Sequence, residues 1–236
     1  MRPYLIINGQ SSLNVRGLLI QELPPITKPQ MRTKAEEIDG RDGDIVTKLG
    51  YKAYDKTVTI GLYGDFDVNE VFSYFAQGGK ITFSNEIDKF YFYELYGAID
   101  LNRLVRFRTG KIKLHVQPYK YDVYEDTFTM LNTDPKGNIF ILNNKGNTEA
   151  KPKITITGNG VIRFLLNGKQ IFVLSLNNQT AILDTADLNV KTPEGDYLNR
   201  QIVGSLEDLI LRQGNNNLTL RGNFSNIKIE NVSRWL

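Results

Sequence analysis

The chain contains a single histidine, His115. A general base needs a neighbour that orients it, and no carboxylate lies close to His115 in sequence. Arg and Lys surround it instead, so it is expected on the surface of a basic hairpin. A retaining glycan hydrolase would hold two carboxyl groups ~5 Å apart, a separation that i, i+2 spacing on a strand favours. Asp42 and Asp44 have that spacing but flank Gly43 in an expected turn. Asp65 and Asp67 share it, and Asp67 is better placed as a helix cap. Glu207 and Asp208 are adjacent and would diverge on a strand. Asp42-Gly43-Asp44 and the pair Asp184, Asp187 offer too few oxygens for a calcium loop, and turn formation accounts for them. The sequence has no cysteine, which excludes thiolate metal sites and disulfides. It also lacks a nucleophile elbow, a phosphate-binding loop and a His-Glu-x-x-His helix. The expectation is a protein that is not an enzyme, with no catalytic residue, metal or cofactor.

One concentration of charge remains. Residues 103–117 are predicted to form a hairpin turning near Thr109-Gly110, with Val105, Phe107, Ile112, Leu114 and Val116 inward. Arg106, Arg108, Lys111, Lys113 and His115 then share the opposite face. Such a face suits an acidic partner, a subunit contact or a nucleic-acid backbone, or it is simply solvated. The chain as a whole is not expected to be a specific nucleic-acid binder. Net charge is only +3, and residues 1–122 carry 17 basic and 15 acidic groups against 12 and 11 in 123–236. Neither half is organised to neutralise phosphates.

The elements that must position these residues are mostly strands. Tyr4–Ile7 and Leu13–Leu19 flank Asn8-Gly9, a dipeptide suited to tight hairpin turns. Lys56–Tyr63 and Lys80–Phe83 alternate, and Phe90-Tyr91-Phe92-Tyr93 is apolar on both faces, as a central strand would be. One helix is expected after Asp67, with Glu70 completing a capping box and Val68, Val71, Phe72 and Phe75 on one stripe. It stops at Gly78-Gly79. The pattern breaks around Gln117–Tyr121, and Asp134-Pro135-Lys136-Gly137-Asn138 is rich in turn formers. A boundary near residue 122 divides the chain into domains 1–122 and 123–236. In the second, Lys153–Thr157, an Asn167-Gly168 hairpin, Ala181–Leu183, Leu218–Leu220 and Ile227–Val232 read as a β-sandwich, with a short helix over Ser205–Leu211.

Residues 31–52 stand apart. They are highly charged, poor in large apolar side chains, and reverse at Gly40-Arg41-Asp42-Gly43. They are expected to form a protruding hairpin, marginal by itself in water and ordered where another surface supports it; the alternative is a mobile solvated loop. The first residues turn polar after Tyr4-Leu5-Ile6-Ile7, short of the ~7–15 apolar residues of a secretory signal. No run approaches the ~20 of a membrane span, so no membrane insertion is expected. At 41% hydrophobic residues the chain is a globular protein rather than a disordered one.

The order of these motifs resembles the distal tail protein family of long-tailed phages over nearly the whole chain. In the first half the resemblance rests on Gly40-Arg41-Asp42-Gly43, the alternating strand, the capped helix, the aromatic strand and the hairpin ending at Pro118-Tyr119. In the second it rests on Asn144-Lys145-Gly146-Asn147-Thr148-Glu149-Ala150-Lys151-Pro152 running into Ile154–Gly158, then Leu166-Asn167-Gly168, Asp184 and Gly214-Asn215-Asn216-Asn217-Leu218. It implies a mainly β protein, with an N-terminal β-sandwich domain carrying one helix and a C-terminal galectin-like β-sandwich. It further implies a structural hub of the siphovirus virion: a hexameric ring at the tail tip, assembled in the host cytoplasm. That ring joins the tail tube protein to a tail-associated lysin-like protein, near the tape-measure protein and receptor-binding proteins. It replaces the helix at Ser205 with a turn leading into a strand. The chain lacks the long insertion in which larger members carry an added carbohydrate-binding module. In such a ring the hairpin bearing Arg32, Lys34, Glu36, Glu37, Gly40, Arg41, Asp42 and Gly43 would grip the adjacent subunit, and Arg106, Arg108, Lys111 and Lys113 would form a second contact. The alternative is a carbohydrate-binding β-sandwich protein that contacts host surface glycans.

Overall fold

The structure is a computed structural model that describes residues 2–98, 101–124, 128–131 and 137–236. Asp134, Pro135 and Lys136 of the expected turn lie outside them. The chain divides into two compact units, Met1–Val123 with Leu236, and Tyr124–Trp235. The fold is mainly β throughout.

In the first unit the strands are β1 (Leu5–Ile7), β2 (Gln10–Ser11), β3 (Leu18–Glu22), β4 (Met31–Glu37), β5 (Asp44–Tyr51), β6 (Tyr54–Leu62), β7 (Gly79–Phe83), β8 (Lys89–Glu94) and β9 (Thr109–Asp122). Helices α1 (Val68–Ala76) and α2 (Leu101–Phe107) complete it. The main sheet runs β2-β1-β7-β8-β9-β6-β3 and is antiparallel at each of these pairings. Alternation dictates its inner face: Val58, Ile60, Ile81, Phe83, Ile112, Leu114 and Val116 are buried together with Tyr91 and Tyr93. The aromatic strand β8 is internal, between β7 and β9. Its outer side chain Phe90 stacks on Tyr121 at 5.5 Å and lies under the Lys80 ammonium at 4.5 Å. That pairing explains why a strand with aromatics on both faces is tolerated.

Three local expectations are corrected. Leu13–Leu19 is not one strand. Ser12–Asn14 is a 3-10 turn whose Leu13 N–H donates to the Ser11 hydroxyl, and β3 begins only at Leu18. The partner of β1 across Asn8-Gly9 is the short β2. Helix α1 is capped by Asp67, which accepts from the Asn69 N–H, but Glu70 does not close a capping box; it accepts the Arg16 N–H from the neighbouring loop. Its buried face is Val71, Tyr74 and Phe75, and Phe72 is 41% exposed. Tyr74 takes the inward place because its hydroxyl can donate to a backbone carbonyl, with those of Leu5 and Gln10 both at 3.1 Å. Third, residues 103–117 are not a hairpin. Helix α2 occupies Leu101–Phe107, and β9 runs unbroken from Thr109. The first unit therefore has a second helix where a strand was expected.

The second unit contains β10 (Phe128–Leu131), β11 (Asn138–Asn144), β12 (Lys153–Leu166), β13 (Lys169–Asp184), β14 (Asn189–Lys191), β15 (Ile202–Gly204), β16 (Gly214–Arg221) and β17 (Phe224–Glu230). The long strands β12 and β13 pair along their whole length and are joined at Asn167-Gly168, with φ of 50° and 84°, as a tight I′-type hairpin requires. The first part of β12 pairs with β17 and its last part with β16, with register shifts near Gly158. The inward residues of both parts, Ile154 and Ile156 with Ile162 and Phe164, enter one core with Leu218, Leu220, Ile227 and Ile229. Phe164 and Phe172 stack at 4.4 Å as a cross-strand pair. Ser205–Leu211 is not a helix but a single 3-10 turn, Leu206–Asp208, which leaves Leu209 and Leu211 in the core. Strand β17 ends at Glu230 rather than Val232, because Asn231 takes φ 60°.

Candidate subunit-contact surfaces

Strands β4 and β5 pair only with each other, in register from Glu37↔Asp44 to Thr33↔Lys48 and shifted by one residue at Met31↔Tyr51, and form a two-stranded sheet separate from the main one. Between Arg32 and Gly50 every residue of the arm is exposed. At ~3.4 Å per residue the hairpin reaches about 25 Å. Its reversal uses Gly40 (φ 83°) and Gly43 (φ 77°), and the Arg41 N–H donates to the Ile38 carbonyl at 3.1 Å. Arg41 and Asp42 sit at this tip. Lys34 pairs with Glu36 along the strand, and the Arg32 guanidinium donates to the Leu49 carbonyl at 3.1 Å. Glu37 faces Asp44 across the pair. The sequence reading missed that the arm is also apolar: Ile38, Ile45, Val46 and Leu49 are 37–57% exposed. The i, i+2 spacing of Ile45, Thr47 and Leu49 was the available signal. A two-stranded ribbon is marginal by itself in water, and four exposed aliphatic side chains on it are an apolar surface.

The root of the arm is held firmly. The Lys56 ammonium donates to the Pro25 carbonyl at 2.9 Å, the Tyr54 hydroxyl to that of Thr27 at 3.3 Å, and the Asn85 amide to that of Pro24 at 3.1 Å. The Lys52 N–H donates to the Gln30 carbonyl at 2.8 Å. Lys56 is only 4% exposed and lies 5.0 Å from the centre of the Tyr91 ring. Burial strips its water and brings its pKa down from 10.5 to about 8, against an opposing pull from Glu86. Glu86 in turn pairs with Lys120 and accepts the Tyr91 hydroxyl at 2.8 Å. Burial, reinforced by the Glu86 charge, pushes the Tyr91 phenol well up.

The basic residues do not make one face. Arg106 lies in the last turn of α2, and Arg108 follows it in the left-handed region (φ 55°) with its guanidinium 4.3 Å from the Phe66 ring centre. Val105 and Phe107 are exposed; Leu104 alone of that trio is buried, against Gly110. Lys111 and Lys113 project from β9, and Lys113 is neutralised by Asp55 at 2.7 Å. The same carboxylate accepts from His115 at 2.8 Å, so His115 does have an acidic neighbour, supplied by the register Asp55↔His115 between β6 and β9. Hydrogen bonds first from Lys113 and then from His115 hold the Asp55 carboxyl below its usual range.

Two of the other carboxylates weighed above bond within the chain. Asp65 pairs with Arg16 at 3.1 Å, and Asp184 accepts the N–H groups of Ala186 and Asp187 in a turn. Glu207 and Asp208 lie in the 3-10 turn. Among the described residues no group of His, Asp and Glu could hold a metal ion. The motifs of the second half are likewise architectural. Asn144 is buried and spans its loop, donating to the Thr148 and Leu211 carbonyls and accepting the Gly146 N–H. Asn216 is buried too, and its amide reaches the Arg212 and Gly214 carbonyls.

No family model matches the sequence, and no curated protein matches it. Among solved structures the chain is similar to the SPP1 Dit protein, described as a paradigm of the hub adsorption apparatus of phages that infect Gram-positive bacteria. The two are 16% identical with a TM-score of 0.58, and all of both chains is covered. The chain has the Dit fold. It is also similar to a chain of the phage P2 baseplate in its activated conformation with Ca, at 12% identity and a TM-score of 0.50, covering all of this chain and 98% of that one. The Dit likeness takes in both units in a single alignment, and the expectation of a distal-tail-type, mainly β fold is met.

Proposed function

We propose that this protein is a structural hub of a phage tail tip. Six copies form a ring through the first unit, and the ring joins the tail tube to the tail-associated and baseplate proteins, near the tape-measure and receptor-binding proteins. The second unit, a galectin-like sandwich in this reading, is displayed outside the ring. The observation that carries the proposal is the Dit fold over the full chain, likeness to a hub being otherwise hard to reach at 16% identity. The arm supports it independently. A rooted hairpin with four exposed aliphatic side chains and both charge signs is suited to a neighbouring subunit. Heterologous contacts of that kind close into rings when the rotation permits. Arg106, Arg108 and Lys111 belong to this reading as separate contacts rather than one patch. Immunogold labelling of the phage particles that carry the protein tests it: label at the distal end of the tail is expected, and label on the capsid, or none on particles, would overturn it.

A further inference from the structure

One edge of the second unit lacks the devices that keep sheet edges from pairing. Among the described residues β11 pairs as a strand only with β16. On its other side the Ser233 hydroxyl donates to the Asn143 carbonyl at 3.2 Å, and residues 139–141 present backbone N–H and C=O groups. The strand reads Asn-Ile-Phe-Ile-Leu-Asn-Asn, with no charge and no proline. Its ladder with β16 runs from Asn138↔Leu220 to Asn144↔Gly214 without a register shift, so no bulge turns the edge away. Charge, proline, bulges and brevity are the usual means of blunting an edge, and a long, flat, apolar one invites another strand. Several other edges use these means. Strand β3 ends in Glu22 with a register shift beside it, β4 and β5 carry Arg32, Lys34, Glu36, Glu37, Asp44 and Lys48, and β14 and β15 are 3 residues each. On β11 the outward side chains are Ile139 and Ile141, 66% and 60% exposed, while Phe140 and Leu142 are buried.

We propose that β11 pairs antiparallel with β11 of a second copy of this chain, about a two-fold axis at Phe140. The strand is symmetric there: Ile139 and Ile141 flank Phe140 on either side. Each Ile139 then lies opposite Ile141 of the other copy, and four isoleucines cover one another on the exposed face. A register centred on a single residue pairs positions of equal parity. Outward-directed N–H and C=O groups of one strand therefore meet those of the other. The absence of charge favours this occupant. Self-pairing sets no like charges opposite each other, while a partner chosen by charge would find nothing on this strand to select it. The contact is isologous and does not depend on the hub reading; in a ring-forming protein it would stack two rings.

Two measurements decide the matter. In mass photometry across a concentration series, Ile141→Lys is expected to halve the particle mass relative to wild type, with an unchanged circular dichroism spectrum because the residue is exposed. The chain has no cysteine, so Ile139→Cys and Ile141→Cys proteins report the register. Mixed and mildly oxidised, they should give a disulfide-linked dimer well in excess of either protein alone. Wild-type mass of a single chain at all concentrations, mass unaffected by Ile141→Lys, or a mixture that cross-links no more than its components would each overturn the pairing. Rings that survive Ile141→Lys at unchanged mass would overturn it while leaving the hub reading intact. If Ile141→Lys fails to fold, the cysteine mixture still decides.

Discussion

Replacing Lys56 with Met isolates the cost of burying a charge at the root of the arm. The ammonium is 4% exposed, and burial lowers its pKa from 10.5 to about 8. At about 1.4 kcal/mol per tenfold change this is at most about 3 kcal/mol, which screening by solvent reduces to roughly 1–2 kcal/mol. The sign follows from proton binding. Between about pH 8 and pH 10.5 the unfolded chain holds the Lys56 proton and the folded chain does not, so stability rises with pH across that window. The tyrosines act in the opposite direction and later. Burial raises Tyr74, Tyr91 and Tyr93 (the last to about 12), so the stability they contribute is present below pH 10 and lost above it. From about pH 7.5 to about pH 9.5 the melting transition of the first unit should therefore climb in wild type by about 4–8 °C for each 1 kcal/mol gained. In Lys56→Met it should stay flat. At about pH 7.5 the variant should lie within roughly 1 kcal/mol of wild type, since loss of the hydrogen bond to the Pro25 carbonyl offsets relief of the buried charge. Scanning calorimetry across this range is the assay. Parallel slopes in the two proteins, or a wild-type transition that falls between these pH values, would refute the reasoning.

Replacing residues 33–50 with a short Gly-Ser linker should leave the melting transitions in place and abolish ring formation in negative-stain images; rings that persist would make the arm a mere loop. Gly146→Ala would set a Cβ 1.9 Å from the Arg234 carbonyl oxygen, with backbone on that side, and should cost the second unit at least about 3 kcal/mol in urea. Gly160→Ala, which has open space but φ of 85°, should cost only about 1 kcal/mol, and equal losses would mean that the close approach is not what matters. Reversing Arg106 and Lys111 to Glu should weaken assembly in a salt-dependent way without altering the melt, as sedimentation at low and high salt would reveal. Unchanged assembly would return both to a solvated role.

What was legible in the sequence follows the physics of each element. The arm showed itself because glycines at a reversal and a dense run of charge are local signals, and local chemistry decides a two-stranded ribbon. Helix α1 showed itself through Asp67, but Tyr74 rather than Phe72 completes its buried face, since carbonyls of β1 and β2 await the Tyr74 hydroxyl. Helix α2 stayed hidden. Val105 and Phe107 mimic strand alternation, and the helix is stopped by Arg108 at positive φ rather than by a glycine. The Asp55–His115 contact joins residues 60 apart in sequence, and only the β6–β9 register makes them neighbours. Asn144 and Asn216 look like loop residues because nothing in a sequence announces that an amide is buried and fully bonded.

The claim at the centre of this account is the ring. Mass photometry of the purified full-length protein from nanomolar to micromolar concentration, with negative-stain class averages at the upper end, tests it most directly. A particle of six chains, or twice that, with six-fold averages is the expected result. A single-chain mass at every concentration, persisting in purified tail tips as isolated copies without six-fold symmetry, would contradict it.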